Sequence, residues 1–122
     1  LEIDAEAQAK LVTPDVHFEV YAPDGSVMVK LDGRDKLIEV FKEAISPIKT
    51  AYHLNGQQLI TVNGDTATNI HYGKAILVQE IDGTEMVIDR SYRYSDTLIL
   101  VDGTWLIKRR EQYLVLSETR PL

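Results

Sequence analysis

The sequence predicts an α+β domain in which helices pack on a large, strongly twisted antiparallel sheet. Three observations predict it. Four pairs, Asp24-Gly25, Asn63-Gly64, Asp82-Gly83 and Asp102-Gly103, each lie between β-rich runs, and such pairs suit tight hairpin turns with positive φ. The last two turns delimit runs over Thr66–Ile81, Thr84–Val101 and Thr104–Leu116. These exceed the ~5–6 residues of a typical strand, so the sheet must bend and carry bulges. Two other stretches follow the helical period instead.

In chain order, Ile3 to Val12 places Ile3, Ala7 and Leu11 on one face, with Asp4 as a cap and Thr13-Pro14 as the stop. A hairpin follows around Asp24-Gly25. Arg34 to Ser46 is a stronger helix: Leu37, Ile38, Phe41, Ala44 and Ile45 share a face, while Lys36, Glu39, Lys42 and Glu43 meet water. Asp32 is placed to cap it, Asp35 suits the positive end of its dipole, and Pro47 stops it. The remainder reads as a long antiparallel meander. No linker, repeat or low-complexity tract interrupts the chain, so residues 1–122 read as one domain.

Composition bounds the function. With 122 residues and 44% apolar content, the chain can form a core without metal or crosslinks. It has no cysteine, which removes disulfides, thiolate metal sites and cysteine nucleophiles. A net charge of −6 argues against general nucleic-acid or anionic-membrane binding. No apolar run reaches membrane-span length and no signal segment opens the chain. These features predict a soluble, cytoplasmic protein. The chain starts at Leu1 rather than Met, so an upstream segment is expected to have been trimmed. No GxSxG, P-loop or GxGxxG occurs, and His17, His53 and His71 lack zinc-ligand spacing. No metal or cofactor is expected.

Two-residue turns fix the register, and cross-strand partners share a face. The Asp82-Gly83 turn pairs Ile88 with Leu77, Arg90 with Ala75, Tyr92 with Gly73, Tyr94 with His71 and Asp96 with Asn69. The Asp102-Gly103 turn pairs Leu100 with Trp105, Leu98 with Ile107, Asp96 with Arg109, Tyr94 with Glu111 and Tyr92 with Tyr113. One face then runs from an apolar end into a cluster of His71, Tyr92, Tyr94, Asp96, Arg109 and Glu111. The opposite face carries Ile70, Tyr72, Ile76, Val78, Ile99, Leu106 and Leu114 among Lys74, Arg93, Lys108 and Arg110. Two short helices can cover only one face. We therefore expect a ligand cavity under the helices and a homodimer through the other face.

The segments TPDVHFEVY (Thr13–Tyr21), YHLNGQQLITVNGDTAT (Tyr52–Thr68) and VDGTWLIKRR (Val101–Arg110) resemble the SnoaL-like branch of the nuclear-transport-factor-2-like superfamily over nearly the whole chain. The resemblance implies a conical, cystatin-like cup with an apolar pocket and dimerisation through the sheet. Relatives include polyketide cyclases, scytalone and bile-acid dehydratases and ketosteroid isomerase, together with non-catalytic binding or assembly modules. It implies that His53 matches a pocket acid/base histidine of the dehydratases. Those relatives add an aspartate or tyrosine from a long N-terminal helix and the loop after it. Here the first helix begins near Ile3, one helix short of the pattern, so such partners are expected before Leu1 or not at all.

The candidate site residues are then His53 and Asp96 for proton transfer, with Phe18, His71, Tyr92, Tyr94 and Arg109 holding a small apolar organic ligand. His53 lies outside the cluster if Asn63-Gly64 forms a two-residue turn. A three-residue Asn63-Gly64-Asp65 turn or a bulge at Asn55-Gly56 brings it inside. Asp96 reads either as a general base or, more readily, as the carboxylate of a structural ion pair with Arg109, extended by Glu111 and Arg90. Trp105 and Phe41 read as core. The expected chemistry is cofactor-independent dehydration, isomerisation or cyclisation; the rival reading is a non-catalytic binding or assembly module of the same fold.

Overall fold

The computed structural model describes residues 5–122; the expected roles of Ile3 and Asp4 fall outside them. The elements are α1 (Ala5–Ala9), β1 (Val12–Tyr21), β2 (Val27–Asp32), α2 (Arg34–Ile45), β3 (Ile48–Asn63), β4 (Thr66–Ile81), β5 (Thr84–Val101) and β6 (Thr104–Pro121). They form an α+β fold built on one curved, six-stranded sheet of order β2-β1-β6-β5-β4-β3.

Every neighbouring pair is antiparallel except β1 and β6, which run parallel. The expected antiparallel sheet holds in the other four pairs. Local turn signals report sequential neighbours and carry no information about where β1 docks. The first helix also stops at Ala9 rather than Val12. Val12 and Thr13 are β-branched and begin a strand, and Pro14 lies within β1. Without an N–H, Pro14 cannot complete the ladder, and the β1–β6 register breaks between Val12 and His17.

The β4–β5 hairpin turns at Asp82-Gly83, with φ of 52° and 81°, and all five predicted pairs are present. The β5–β6 hairpin turns at Asp102-Gly103 and keeps Leu100–Trp105 and Leu98–Ile107. Beyond them a bulge at Lys108 intervenes, so Thr97 faces Arg109 and Asp96 faces Arg110. Since a one-residue slip exchanges the two faces, Arg109 and Glu111 leave the predicted cluster while Arg110, Gln112 and Leu114 enter it.

The β3–β4 turn closes on the pair Asn63–Thr66, leaving Gly64-Asp65 at its tip. A bulge between Asn55 and Gln58 then pairs His53 with Ala75. Of the two routes by which His53 reaches the His71 face, the bulge is the one the chain takes.

The face shared by Ala51, Ala75, Leu77 and Ile88 carries the buried cluster, with Ile48 and Tyr92 packed against it. Val16 is fully buried, and Val12, Val20, Leu31 and Leu114 are buried as well. We call this the inner face. Helix α2 lies against β1 and β2. Gly33, not Asp32, occupies its N-cap and gives no side-chain cap; the Asp32 carboxylate instead bonds His17. Trp105 is 37% exposed, contrary to its expected place in the core. No helix among the described residues is long and apolar enough to cross a membrane.

Candidate functional site

Straight rungs across the inner face bring its polar groups together. One rung reads Gln58, His71, Tyr94 and Gln112; the next reads Ile60, Asn69, Asp96, Arg110 and Phe18. Asp96, only 3% exposed, sits where these strands are central in the sheet. Its Oδ1 accepts from Arg110 Nε at 2.8 Å, and its Oδ2 accepts from Arg110 Nη2 at 2.8 Å and contacts His71 Nε2 at 2.9 Å. A carboxylate this deeply buried needs such compensation, and the bidentate guanidinium supplies charge and geometry together.

The carboxylate can only accept, so a neutral His71 carries its proton on Nε2. Nδ1 is then the basic nitrogen, and it has no hydrogen-bond partner among the described residues. Tyr94 stacks on the imidazole with ring centroids 4.6 Å apart and planes within 8°. Arg110 lies over the other part of this array, 4.9 Å from the Tyr94 centroid, and Tyr92 tilts against Tyr94 at 5.8 Å. Tyr94 fits because Gly73 offers no Cβ beneath it: a methyl there would lie 3.1 Å from Tyr94 Cε2. Burial pushes the Tyr94 phenol up to about 12, partly offset by Arg110. It therefore stays a hydrogen-bond donor across the physiological range.

The predicted site residues divide as follows. His71, Tyr92, Tyr94, Asp96 and Phe18 share the inner face. His53 shares it too, but is exposed and lies two strands from Tyr92's strand, opposite Ala75. Arg109 does not belong. The Lys108 bulge turns it to the outer face, where its Nε donates to Glu111 at 3.1 Å and its Nη2 lies 3.6 Å from Glu19. Arg110, which sequence reasoning placed outside, takes its role beside Asp96. Of the other basic residues expected on the opposite face, Lys74 pairs with Asp89, and Arg93 covers the Tyr113 ring.

The outer face has its own polar network. His17 bridges Asp32 through Nδ1 at 2.6 Å and Glu19 through Nε2 at 2.9 Å. Tyr21 and Tyr113 stack at 5.1 Å and donate to Glu19 and Glu111 respectively. The Glu19 bond holds the Tyr21 phenol up at about 12. The two carboxylates raise His17 above its ordinary value, Glu19 contributing most. A cavity of about 380 Å³ opens on this side, lined by Asp15, His17, Thr66, Thr97, Ile99, Lys108 and Arg109. It shares no residue with the His71–Asp96 group. The inner face thus carries a carboxylate held by a guanidinium and a histidine oriented by that carboxylate.

The SnoaL-like domain profile matches residues 2–111. No curated protein matches the chain in sequence. Among solved structures, a "Putative Scytalone Dehydratase" from Novosphingobium aromaticivorans superposes with a TM-score of 0.76 at 24% identity, covering 97% of this chain and 75% of that one. An NTF2-like protein with a cystatin-like fold, also from Novosphingobium aromaticivorans, gives 0.67 at 25% identity, covering 92% and 70%. A hexachlorocyclohexane dehydrochlorinase (LinA, type 2) gives 0.75 at 13% identity, covering 98% and 76%.

Proposed function

The chain belongs to the SnoaL-like domain family, and from that premise we propose that it is a cofactor-independent lyase or isomerase acting on a small organic molecule held on the inner face. The observation that carries this reading is the His71–Asp96–Arg110 relay. Asp96 fixes the ring and tautomer of His71, and Arg110 holds Asp96. An imidazole so oriented is a competent general base. His71 Nδ1 would remove a proton from a carbon next to a carbonyl. The Tyr94 hydroxyl, neutral throughout, would donate to the oxygen on which charge develops. Return of the proton to a departing hydroxyl completes a dehydration; return to another carbon completes an isomerisation.

The roles differ from the expectation in which His53 moves the proton. His53 has no carboxylate to orient it among the described residues, whereas His71 does. His53 and Tyr92 then become ligand contacts along the same face, and Asp96, with both oxygens engaged, is a positioning residue. The activities named for the similar structures, "Putative Scytalone Dehydratase" and hexachlorocyclohexane dehydrochlorinase, are both eliminations and support this reading. The outer face supports a homodimer as part of the same reading. Tyr52, Leu54, Leu59, Ile70 and Tyr72 are all more than 40% exposed there, an apolar patch of the kind a second subunit covers.

The test uses proton exchange, which reads the first step whatever reaction follows it. Cyclic and aryl ketones are incubated with the protein in D₂O, and deuterium incorporation beside the carbonyl is followed by NMR. Exchange that is lost in His71→Ala, and retained in His53→Ala, is expected. Full exchange in His71→Ala overturns the assignment. Ligand binding without exchange in any ketone replaces it with the rival, a binding module.

A further inference from the structure

Two arginines stand on the inner face, and they are treated differently. Arg110 is neutralised by Asp96 through two hydrogen bonds. Arg90 has no ion pair or hydrogen bond among the described residues, and its Nε is shut off from solvent with no acceptor. Arg34 also has a buried Nε without an acceptor, but its Nη2 donates to the Val12 carbonyl; Arg93 lies over Tyr113, and Arg109 bonds Glu111. Arg120 is exposed. Arg90 is thus a guanidinium without a counter-charge, on a chain whose net charge is −6.

Its neighbours across the sheet supply no carboxylate. The rung through Arg90 reads His53, Ala75, Arg90 and Ser117 across β3 to β6. The small Ala75 separates the two larger side chains, whose strands lie about 10 Å apart. The carboxylate nearest in sequence does not answer Arg90: Asp89 alternates to the outer face and pairs with Lys74. An N–H of a permanently charged group that is desolvated and unpaired is unfavourable by itself. A bound carboxylate would satisfy it with the paired geometry that guanidinium favours.

We infer that the molecule held on the inner face is an organic acid, its carboxylate bound by Arg90 and its apolar body directed along β5 toward His71. This rests on the reading of the inner face as a ligand site and adds the class of ligand. The Arg90 and Tyr94 rungs are four residues apart, about 13 Å along the strand. Allowing for the reach of the two side chains, that span fits a one- or two-ring acid. Tyr92 lies between the two ends, opposite Gly73, whose inner side is covered by the Tyr94 ring.

The experiment measures calorimetric affinities at pH 7 for three acids, phenylacetate, 3-phenylpropanoate and 2-naphthoate, each against its neutral amide. The wild-type chain is expected to bind at least one acid ten or more times tighter than its amide. Arg90→Gln should remove that preference by weakening the acid alone, and Arg90→Lys should keep part of it. Arg109→Gln, on the outer face, should keep all of it. Circular dichroism checks that each variant is folded, and the Lys variant carries the test if Gln does not fold. Equal affinity for acid and amide in the wild type, or a preference that survives in Arg90→Gln, overturns the anionic anchor while inner-face binding stands. Binding of neither member of any pair removes the inner-face reading for aryl ligands and the anchor with it.

Discussion

Replacing Asp96 with Asn tests the centre of the site through stability alone, with no substrate required. The side chain is 3% exposed and its partner Arg110 is 25% exposed. The substitution nearly conserves volume but removes the charge that Arg110 Nε and Nη2 both address at 2.8 Å. Removing one member of a buried pair costs about 3–5 kcal/mol, and the partial exposure of Arg110 favours the lower end, about 3 kcal/mol. For a domain of this length that corresponds to a fall of about 12 °C in Tm. Scanning calorimetry measures it directly. The second variant gives the experiment its discrimination. Asp96→Asn combined with Arg110→Met removes the orphaned guanidinium and should recover half or more of the loss. Combination with Arg109→Met should recover nothing, because Arg109 is on the other face. A single-variant loss below about 1 kcal/mol, far under the range for a broken buried pair, would refute the reasoning. So would rescue by Arg109→Met.

Three further outcomes are expected. His17 is raised above 6.5 in the folded chain, so its contribution is fully present below the unfolded value and is lost as pH rises through the folded one. The urea midpoint of the wild type should therefore decline above pH 6.5 more steeply than that of His17→Gln, and parallel curves would contradict the bridge. Gly73→Ala places a methyl 3.1 Å from Tyr94 Cε2 and should displace that ring from His71, lowering stability by about 1 kcal/mol as a mild overpacking; the melting temperature and loss of deuterium exchange report it. Finally, sedimentation should show a dimer at micromolar concentration that Tyr72→Glu converts to monomer, since the charge would enter the apolar outer patch.

The parts of this fold that could be read from sequence are those encoded locally. Asp82-Gly83 needs positive φ at both residues and has alternating strands on either side, and all five of its expected pairs follow. Helix α2 announces itself by its apolar period. What escaped was decided by packing between distant segments. The Lys108 bulge has no mark in the run Leu106–Arg110, where apolar and basic residues alternate poorly in either register. The identity of the guanidinium beside Asp96 hung on that single residue. One clue was present: a strand reading straight through would have placed Leu114 outside and Glu111 inside beside a buried carboxylate, an unfavourable exchange. Weighing those two residues against each other could have located the bulge. The His53 bulge left a clearer sign in Gly56, where a Cβ would meet the Tyr72 carbonyl at 3.2 Å, and glycine within a strand commonly marks such a site.

The parallel pairing of β1 with β6 bears on how the chain reaches this state. Val12 and Ile107 are partners although 95 residues of sequence separate them. The meander from β3 to β6 can zip from its own turns, each closing a short loop. The β1–β2 hairpin has no neighbour to join until the last strand exists, and closing so long a loop is slow and entropically costly. Val12, Val16, Val20 and Leu31, all buried in the finished sheet, must therefore stay uncovered until late. So must the adjoining edge of β6, the strand that supplies Arg110. The interval before β1 docks on β6 is therefore the period of greatest exposure to aggregation.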